Sequence, residues 1–139
     1  MVRFSDKELL DLLRENSRQS YPKLAEHFGV TEAAIRKRVK KMLKKDIIKR
    51  FTIDINPKEA GIIVALIGLD VAGERYIQTL NALKKDPRCL RLYTSTGDHM
   101  LMAEFWFSDT TEMSKYIKNL ENLDGVTRVC PSLLQEQIK

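Results

Sequence analysis

Residues 20–44 carry the pattern that most restricts how this chain can fold. Ser20 can cap a short helix that ends at Gly29, a residue suited to the left-handed conformation that follows many helices. Thr31 can then cap a longer helix that reaches residue 44 or 45. Two helices joined by a tight glycine turn are typical of a helix-turn-helix.

The longer of these helices is predicted to have one apolar side and one basic side. Its apolar residues recur at helical spacing and form one stripe, which comprises Ile35, Val39, Met42 and Leu43. The cations on its other sides are Arg36, Lys37, Lys40, Lys41 and Lys44, with Arg38 nearer the flank. In a helix-turn-helix such a helix enters the DNA major groove with its N-terminal residues toward the base edges.

The net charge is concentrated in the same half of the chain. The 139 residues carry a formal net charge of +5, to which residues 1–60 contribute +6 and residues 61–139 contribute −1. A basic half joined to a nearly neutral half predicts that the first half binds a polyanion. The alternative is a solvated basic helix in an otherwise ordinary protein.

The helix-turn-helix interpretation assigns DNA contacts by position. We expect Arg36 and Lys37 to donate to guanine O6 and N7, and the later lysines to contact phosphates. The predicted DNA-binding residues are Ser20, Tyr21, Thr31, Glu32, Ala33, Arg36, Lys37, Arg38, Lys40, Lys41 and Arg50.

Elements on either side complete the predicted first domain. Ser5 and Glu8 fit a capping box that begins a first helix over residues 6–15. After the third helix, the β-branched and partly alternating residues 46–55 predict short strands that form a small wing. A segment with proline and glycine then breaks the pattern, which places a linker at residues 54–61.

The second half predicts the element order βαββαβ. Strands are expected at about residues 62–71, 89–95, 100–107 and 126–131, with one helix over 74–85 and another capped by Asp109 or Thr110. This order is that of a ferredoxin-like domain, so the chain is predicted to be α+β, a winged helix-turn-helix followed by a ferredoxin-like domain. The apolar first strand, with Phe105 and Phe107, predicts that helices cover one sheet face and a second subunit the other.

Together these features resemble the Lrp/AsnC family of transcription regulators, in particular its archaeal members. The resemblance covers nearly the whole chain and rests on Glu15-Asn16-Ser17-Arg18, Leu24-Ala25, Gly29-Val30-Thr31, Ile35-Arg36-Lys37-Arg38-Val39, Ile47-Ile48-Lys49-Arg50-Phe51 and Thr96-Gly97-Asp98-His99. Asp46 departs from the glycine that most members have there. The resemblance implies a sequence-specific regulator with a DNA-binding domain at 1–53, a linker at 54–61, and an effector-binding and oligomerisation domain at 62–139.

The resemblance also implies partners and a second site. It implies homodimers that assemble further into tetramers or octamers, and an amino acid effector bound between dimers near the turn that joins the second and third strands. The predicted effector-binding residues are Ser95, Thr96, Gly97, Asp98, His99 and Ser132. Many members have a second acidic residue where this chain has Met100. The alternative is that Gly97 and Asp98 only form a hairpin turn.

Other classes of protein are disfavoured by composition. Two cysteines and two histidines are too few for a disulfide framework or a multi-histidine metal centre, so no metal site and no cofactor is expected. No apolar run approaches the roughly 20 residues that cross a bilayer, and no secretory signal is visible, so we expect no membrane partner and a cytoplasmic location.

The sequence predicts no catalytic residues, and we expect a protein that is not an enzyme. One alternative remains because tetrapyrrole decarboxylases resemble the same architecture, and His99 beside Asp98 and Tyr93 could act on a bound cofactor. A second alternative is a helix-turn-helix that binds protein partners instead of DNA.

Overall fold

The computed structural model describes residues 3–139, which divide into two compact units. The first unit extends through Asp54, and the second runs from Ile55 to Lys139.

Residues 3–54 contain three helices: α1 (Asp6–Glu15), α2 (Tyr21–Phe28) and α3 (Glu32–Lys44). Side chains of Ser5, Ser20 and Thr31 cap the three helices by accepting backbone N–H groups of their first turns. Gly29 takes the left-handed conformation, with φ of 63°, and ends α2. The predicted helix-turn-helix is confirmed by these elements.

The three helices pack around one small apolar core. Leu9, Leu24 and Ile35, one from each helix, are fully buried. The predicted apolar stripe of α3 is narrower than expected, because Leu43 is 40% exposed while Met42 is 1% exposed. Successive helical residues point about 100° apart, so a helix that buries Met42 turns Leu43 toward its edge.

The predicted wing is wrong. Within the described residues, the segment between α3 and residue 63 contains no strand. Ile48 packs into the helical core, whereas Phe51 and Ile53 are 49% and 68% exposed. A β-branched pattern favours strand geometry, but a strand forms only where a second strand is available to pair with it.

The chain leaves α3 through a single left-handed residue. Asp46 has φ of 62°, in the region where glycine is most at ease and where Asp and Asn are the best tolerated of the other residues. The Lys49 ammonium group pairs with the Asp46 carboxylate. This conformation accounts for the glycine expected here by resemblance.

The second unit is a four-stranded sheet with helices. Its elements are a short helix α4 (Pro57–Ala60), β1 (Ile63–Val71), a 3₁₀ turn (Gly73–Arg75), α5 (Tyr76–Lys85), β2 (Cys89–Thr94), β3 (Leu101–Phe107), α6 (Thr110–Glu121) and β4 (Val126–Leu134). The strands are antiparallel in the order β2-β3-β1-β4, which confirms the ferredoxin-like prediction. Residues 57–61, at the end of the segment predicted as a linker, are folded. Pro57 is buried, and Gly61 ends α4 in the left-handed conformation.

One face of the sheet forms the main core with α5 and α6. Ala65, Ile67 and Leu69 on β1 point to this side and are fully buried. Phe105 and Phe107 also lie in this core, so they do not contribute to the opposite face as predicted. Alternation along β1 places Val64, Leu66, Gly68 and Asp70 on that opposite face.

One side of α5 packs onto the sheet. Thr79 on that side is 4% exposed, whereas Ile77 is 63% exposed. α5 begins at Tyr76 after the 3₁₀ turn, and the side that packs onto the sheet comprises Thr79, Leu80 and Leu83.

Candidate functional site

The outward side of α3 presents most of the cations predicted to contact DNA. We define the α3 basic surface as Arg36, Lys37, Lys40, Lys41 and Lys44, all of which are exposed. The first turn of the helix adds exposed Thr31, Glu32 and Ala33, and Ser20 is exposed at the start of α2. One helix therefore offers polar side chains at its N-terminus and positive charge along the rest of its length.

Arg36 is oriented by two neighbours. Its Nη2 lies 2.7 Å from Oε1 of Glu32, one turn earlier on α3. Its guanidinium carbon lies 5.0 Å from the centre of the Tyr21 ring, which opens α2 and is half-buried. These contacts place the Arg36 fork at the start of α3, where a helix-turn-helix approaches base edges.

Arg38 occupies a different position from the other predicted DNA contacts. Its Nη1 lies 2.5 Å from Oδ1 of Asp6, and its guanidinium carbon lies 4.7 Å from the centre of the Phe4 ring. Its side chain is 35% exposed and joins α3 to the start of α1. The structure thus gives Arg38 a role inside the first unit, and a DNA contact by this residue stays a prediction. Arg50 is exposed in the irregular segment after α3.

The turn predicted to bind an effector is a hairpin between β2 and β3. Ser95 N donates to Met100 O at 3.0 Å, and Gly97 N donates to the Ser95 hydroxyl at 3.2 Å. Thr96 and Asp98 are exposed at its tip, and the Asp98 side chain is 81% exposed. These two hydrogen bonds lie within the turn itself.

His99 is the residue of this turn that contacts the sheet. Its ring lies over Gly68 on β1, and a Cβ added there would be 2.2 Å from the His99 Cδ2. Only glycine at this point leaves room for the ring, whose side chain is 14% exposed. His99 Nδ1 lies 3.3 Å from Oδ2 of Asp70, and His99 Nε2 lies 3.8 Å from Oδ2 of Asp98.

Two residues that sequence reasoning missed complete this arrangement. Asp70 Oδ1 accepts a hydrogen bond of 3.2 Å from Met100 N, which fixes the carboxylate beneath the turn. Arg128 is paired with Asp70 across β1 and β4, and its guanidinium lies 3.8 Å from Asp70 and 3.7 Å from Asp98. We call Asp70, Asp98, His99 and Arg128 the sheet-face cluster. The one available signal was a single aspartate in an otherwise apolar strand.

The remaining predicted effector residue lies farther along the sheet. Ser132 pairs with Leu66, whereas Gly68, beneath the His99 ring, pairs with Cys130. Ser132 therefore shares the face of the cluster but is one row of side chains, about 7 Å, beyond Gly68. The structure does not bring it to the hairpin turn.

Two observations in the second unit give little support to catalysis. Tyr93 pairs with Met102, which pairs in turn with Gly68, so Tyr93 lies two strands away from the strand that supports His99. Burial, and to a lesser degree Asp86, raises the pKa of the Cys89 thiol to about 11, which leaves it protonated near neutral pH.

Within residues 3–139 no group of three or more His, Cys, Asp or Glu side chains is placed to hold a metal ion. No helix in the same range has the length and apolar character needed to cross a membrane.

A basic helix-turn-helix domain followed by a second, ferredoxin-like domain is typical of one class of protein, the DNA-binding transcription regulators. Residues 5–43 match the AsnC-type helix-turn-helix domain, and residues 64–139 match the Lrp/AsnC ligand binding domain. The chain belongs to the Lrp/AsnC family and is a transcriptional regulator of that type.

Individual relatives agree over the full length of the chain. It is 39% identical over 141 residues, and over 100% of both chains, to the HTH-type transcriptional regulator LrpA of Pyrococcus abyssi. The solved structure of PH0061 has a TM-score of 0.83 at 21% identity and covers 100% of this chain and 97% of its own.

A further solved structure is described as a complex with L-Met, of the transcriptional regulator NMB0573 from Neisseria meningitidis. It has a TM-score of 0.73 at 20% identity, with 99% of this chain and 93% of that chain covered. The Pyrococcus abyssi and Neisseria meningitidis relatives are both named as regulators and give no support to the tetrapyrrole decarboxylase alternative.

Proposed function

We propose that this regulator binds specific sites on double-stranded DNA through α3, and that an amino acid effector bound at the β2–β3 turn controls its assembly. The observation that carries the DNA proposal is the α3 basic surface, whose five cations are exposed while the opposite side of the helix is buried. Helix-turn-helix geometry directs Arg36 and Lys37 to guanine edges and Lys40 and Lys41 to phosphates.

The proposed DNA-binding form is a homodimer. The sheet face that carries Leu66 and Trp106 lies opposite the face that α5 and α6 cover, and both side chains are half-buried in the single chain. A second copy of the chain would cover this face and bring two α3 helices into one assembly. Two-fold symmetry then predicts a pseudo-palindromic operator with half-sites about 34–36 Å apart. We propose further assembly into tetramers or octamers, which would wrap or bridge several sites.

The effector proposal rests on the ligand-binding domain match and on the turn itself. The turn exposes Asp98, whose carboxylate can accept hydrogen bonds from an α-ammonium group. The L-Met complex of the Neisseria meningitidis relative supports an amino acid as the ligand class. We place Ser95, Thr96, Gly97, Asp98 and His99 at this site, with Ser132 as a more distant neighbour.

The DNA proposal is tested by selecting bound fragments from random duplexes and measuring their affinity by mobility shift at several salt concentrations. Lys41→Ala should weaken binding to all DNA sequences alike, and it should lower by about 1 the salt slope, which is the steepness with which the logarithm of the binding constant falls with the logarithm of salt concentration. Arg36→Ala should instead relax the base preference at one position of the site. Lys115→Ala, an exposed lysine of α6, is the matched control and should change neither property. Equal losses on all sequences for both α3 variants would contradict the proposed base reading.

The assembly proposal is tested by light scattering of the full chain with each of the twenty amino acids. At least one should change the mass of the assembly at fixed protomer concentration. A mass that no amino acid alters would refute effector-controlled assembly while leaving the DNA proposal standing.

A further inference from the structure

The guanidinium of Arg128 is the least satisfied group in the sheet-face cluster. It lies 3.8 Å from Asp70 and 3.7 Å from Asp98, and both distances exceed the roughly 3.5 Å limit of an N–H···O hydrogen bond. Across the described chain these two ion pairs are its only polar contacts, and its side chain is 53% exposed. Five N–H donors are thus held beside two carboxylates and remain available to a further acceptor.

The other members of the cluster are held more firmly than Arg128. Asp70 is fixed by the Met100 backbone N–H at 3.2 Å and by the His99 ring at 3.3 Å. The ring in turn is held over Gly68, where a Cβ would collide with it at 2.2 Å. Asp98, at the exposed tip of the turn, completes the cluster 3.7 Å from Arg128.

Opposite charges side by side at an open surface match one ligand chemistry. The α-ammonium and α-carboxylate groups of a free amino acid are joined through one carbon, so they require an anion and a cation placed next to each other. Asp98 and Arg128 meet that requirement, and the planar guanidinium fork can bind a carboxylate through two parallel hydrogen bonds.

We propose that Arg128 binds the α-carboxylate of the amino acid effector while Asp98 accepts from its α-ammonium group, and that Asp70, His99 and Gly68 position this pair. The inference rests on the proposed effector binding at the β2–β3 turn and adds Arg128 and Asp70 to it.

The test is calorimetric titration of the full chain, first with the twenty L-amino acids. The one that binds most tightly is then compared with the amine that lacks only its α-carboxylate. Arg128→Gln should weaken binding of the amino acid at least about tenfold, as expected for loss of a charged hydrogen-bonding partner. Arg128→Lys, which keeps the charge but not the fork, should give an intermediate loss.

Binding of the amine shows whether Arg128 contacts the α-carboxylate or only supports the structure of the site. Wild type should bind the amine at least about tenfold more weakly than the amino acid, and Arg128→Gln should cause no further loss with the amine. Arg91→Gln is the matched control, because Arg91 lies on the same face, paired with Glu104 at 3.7 Å and outside the cluster. It should leave binding of both ligands unchanged.

The outcomes separate this inference from the proposed function. Normal binding of the amino acid by Arg128→Gln, or equal losses for the amino acid and the amine, would overturn the inference alone. If none of the twenty amino acids binds wild type, both the effector proposal and the inference fail, and DNA binding measured by mobility shift stands or falls separately.

Discussion

Replacing Gly68 by alanine tests whether the His99 ring is held against β1. In the structure the new Cβ would lie 2.2 Å from His99 Cδ2, whereas carbon atoms in contact lie about 3.5–4.0 Å apart. The ring would have to move by more than about 1 Å, and it would leave Asp70 when it did so. Gly68→Ala should therefore disturb the sheet-face cluster without touching any of its charged groups.

The expected cost has two parts of opposite sign. Overpacking a filled position costs about 1–3 kcal/mol, while alanine gains about 0.5–1 kcal/mol over glycine in a strand because the unfolded chain loses less freedom. Gly68→Ala should thus lower the free energy of unfolding by about 1 kcal/mol, within a range of about 0–2.5 kcal/mol. In a His99→Ala background the clash is absent, and the same change should stabilise the protein by about 0.5–1 kcal/mol.

The assay is urea unfolding at fixed protomer concentration, followed by the fluorescence of Trp106, the single tryptophan of the chain and a residue of β3. Gly73→Ala is the control, since a Cβ there would meet nothing within 4 Å. A Gly68→Ala cost of the same size with and without His99 would refute the contact between ring and strand.

Three further changes test other contacts. The Tyr116 hydroxyl donates a hydrogen bond of 2.7 Å to Asp86. Desolvation opposes ionisation of Asp86, but the hydrogen bonds from Tyr116 and Arg88 outweigh it and lower the pKa of the Asp86 carboxyl. Tyr116→Phe should therefore lower the free energy of unfolding by about 1–2 kcal/mol at neutral pH. A lowered pKa stabilises the fold above the unfolded value and is lost as pH falls, so the difference in urea midpoint between this variant and wild type should shrink below about pH 4. Arg38→Ala should destabilise the first unit by about 1 kcal/mol through loss of its pair with Asp6 and its contact with the Phe4 ring, measured by helical circular dichroism. If the predicted DNA contact of Arg38 is correct, the same change should also lower the salt slope of DNA binding by about 1, and an unchanged slope would remove Arg38 from the predicted contacts. Asp46→Ala should be less stable in thermal unfolding than Asp46→Gly by about 1 kcal/mol, because alanine is strained at φ of 62°; equal stability would count against the left-handed conformation.

The helices of the first unit could be predicted because their signals are local. The caps at Ser20 and Thr31 and the glycine turn at Gly29 act within one helical turn, and the structure begins and ends α2 and α3 at these residues. The ferredoxin-like order was predictable for a related reason, since each strand and helix has its own periodicity.

The prediction of a wing was wrong because pairing between strands is not a local property. Residues 46–55 have the β-branched character of a strand, yet in the described chain the segment belongs to no sheet, and Ile48 packs with the helices instead. Sequence pattern cannot tell whether a suitable segment will find a neighbouring strand.

The sheet-face cluster was only partly predictable for the same reason. The turn Gly97-Asp98-His99 stands out in the sequence, but Asp70 and Arg128 become its neighbours only through the register of β1 with β4. The role of Gly68 depends on the ring that lies above it, which no spacing along the chain reveals.

The division into two units limits how an amino acid could act on DNA binding. The α3 basic surface belongs to the unit that ends at Asp54, and the sheet-face cluster belongs to the unit that begins at Ile55. An effector bound at the cluster can change DNA affinity only by binding one arrangement of the assembly more tightly than another. Linkage then requires that operator DNA change effector affinity by the same factor by which the effector changes DNA affinity. Calorimetric titration of the effector with and without operator gives the first factor, and mobility shift with and without effector gives the second. The two factors should be equal. Unequal factors would mean that the two measurements do not report the same pair of states, and a factor of one in both would remove the cluster from control of DNA binding.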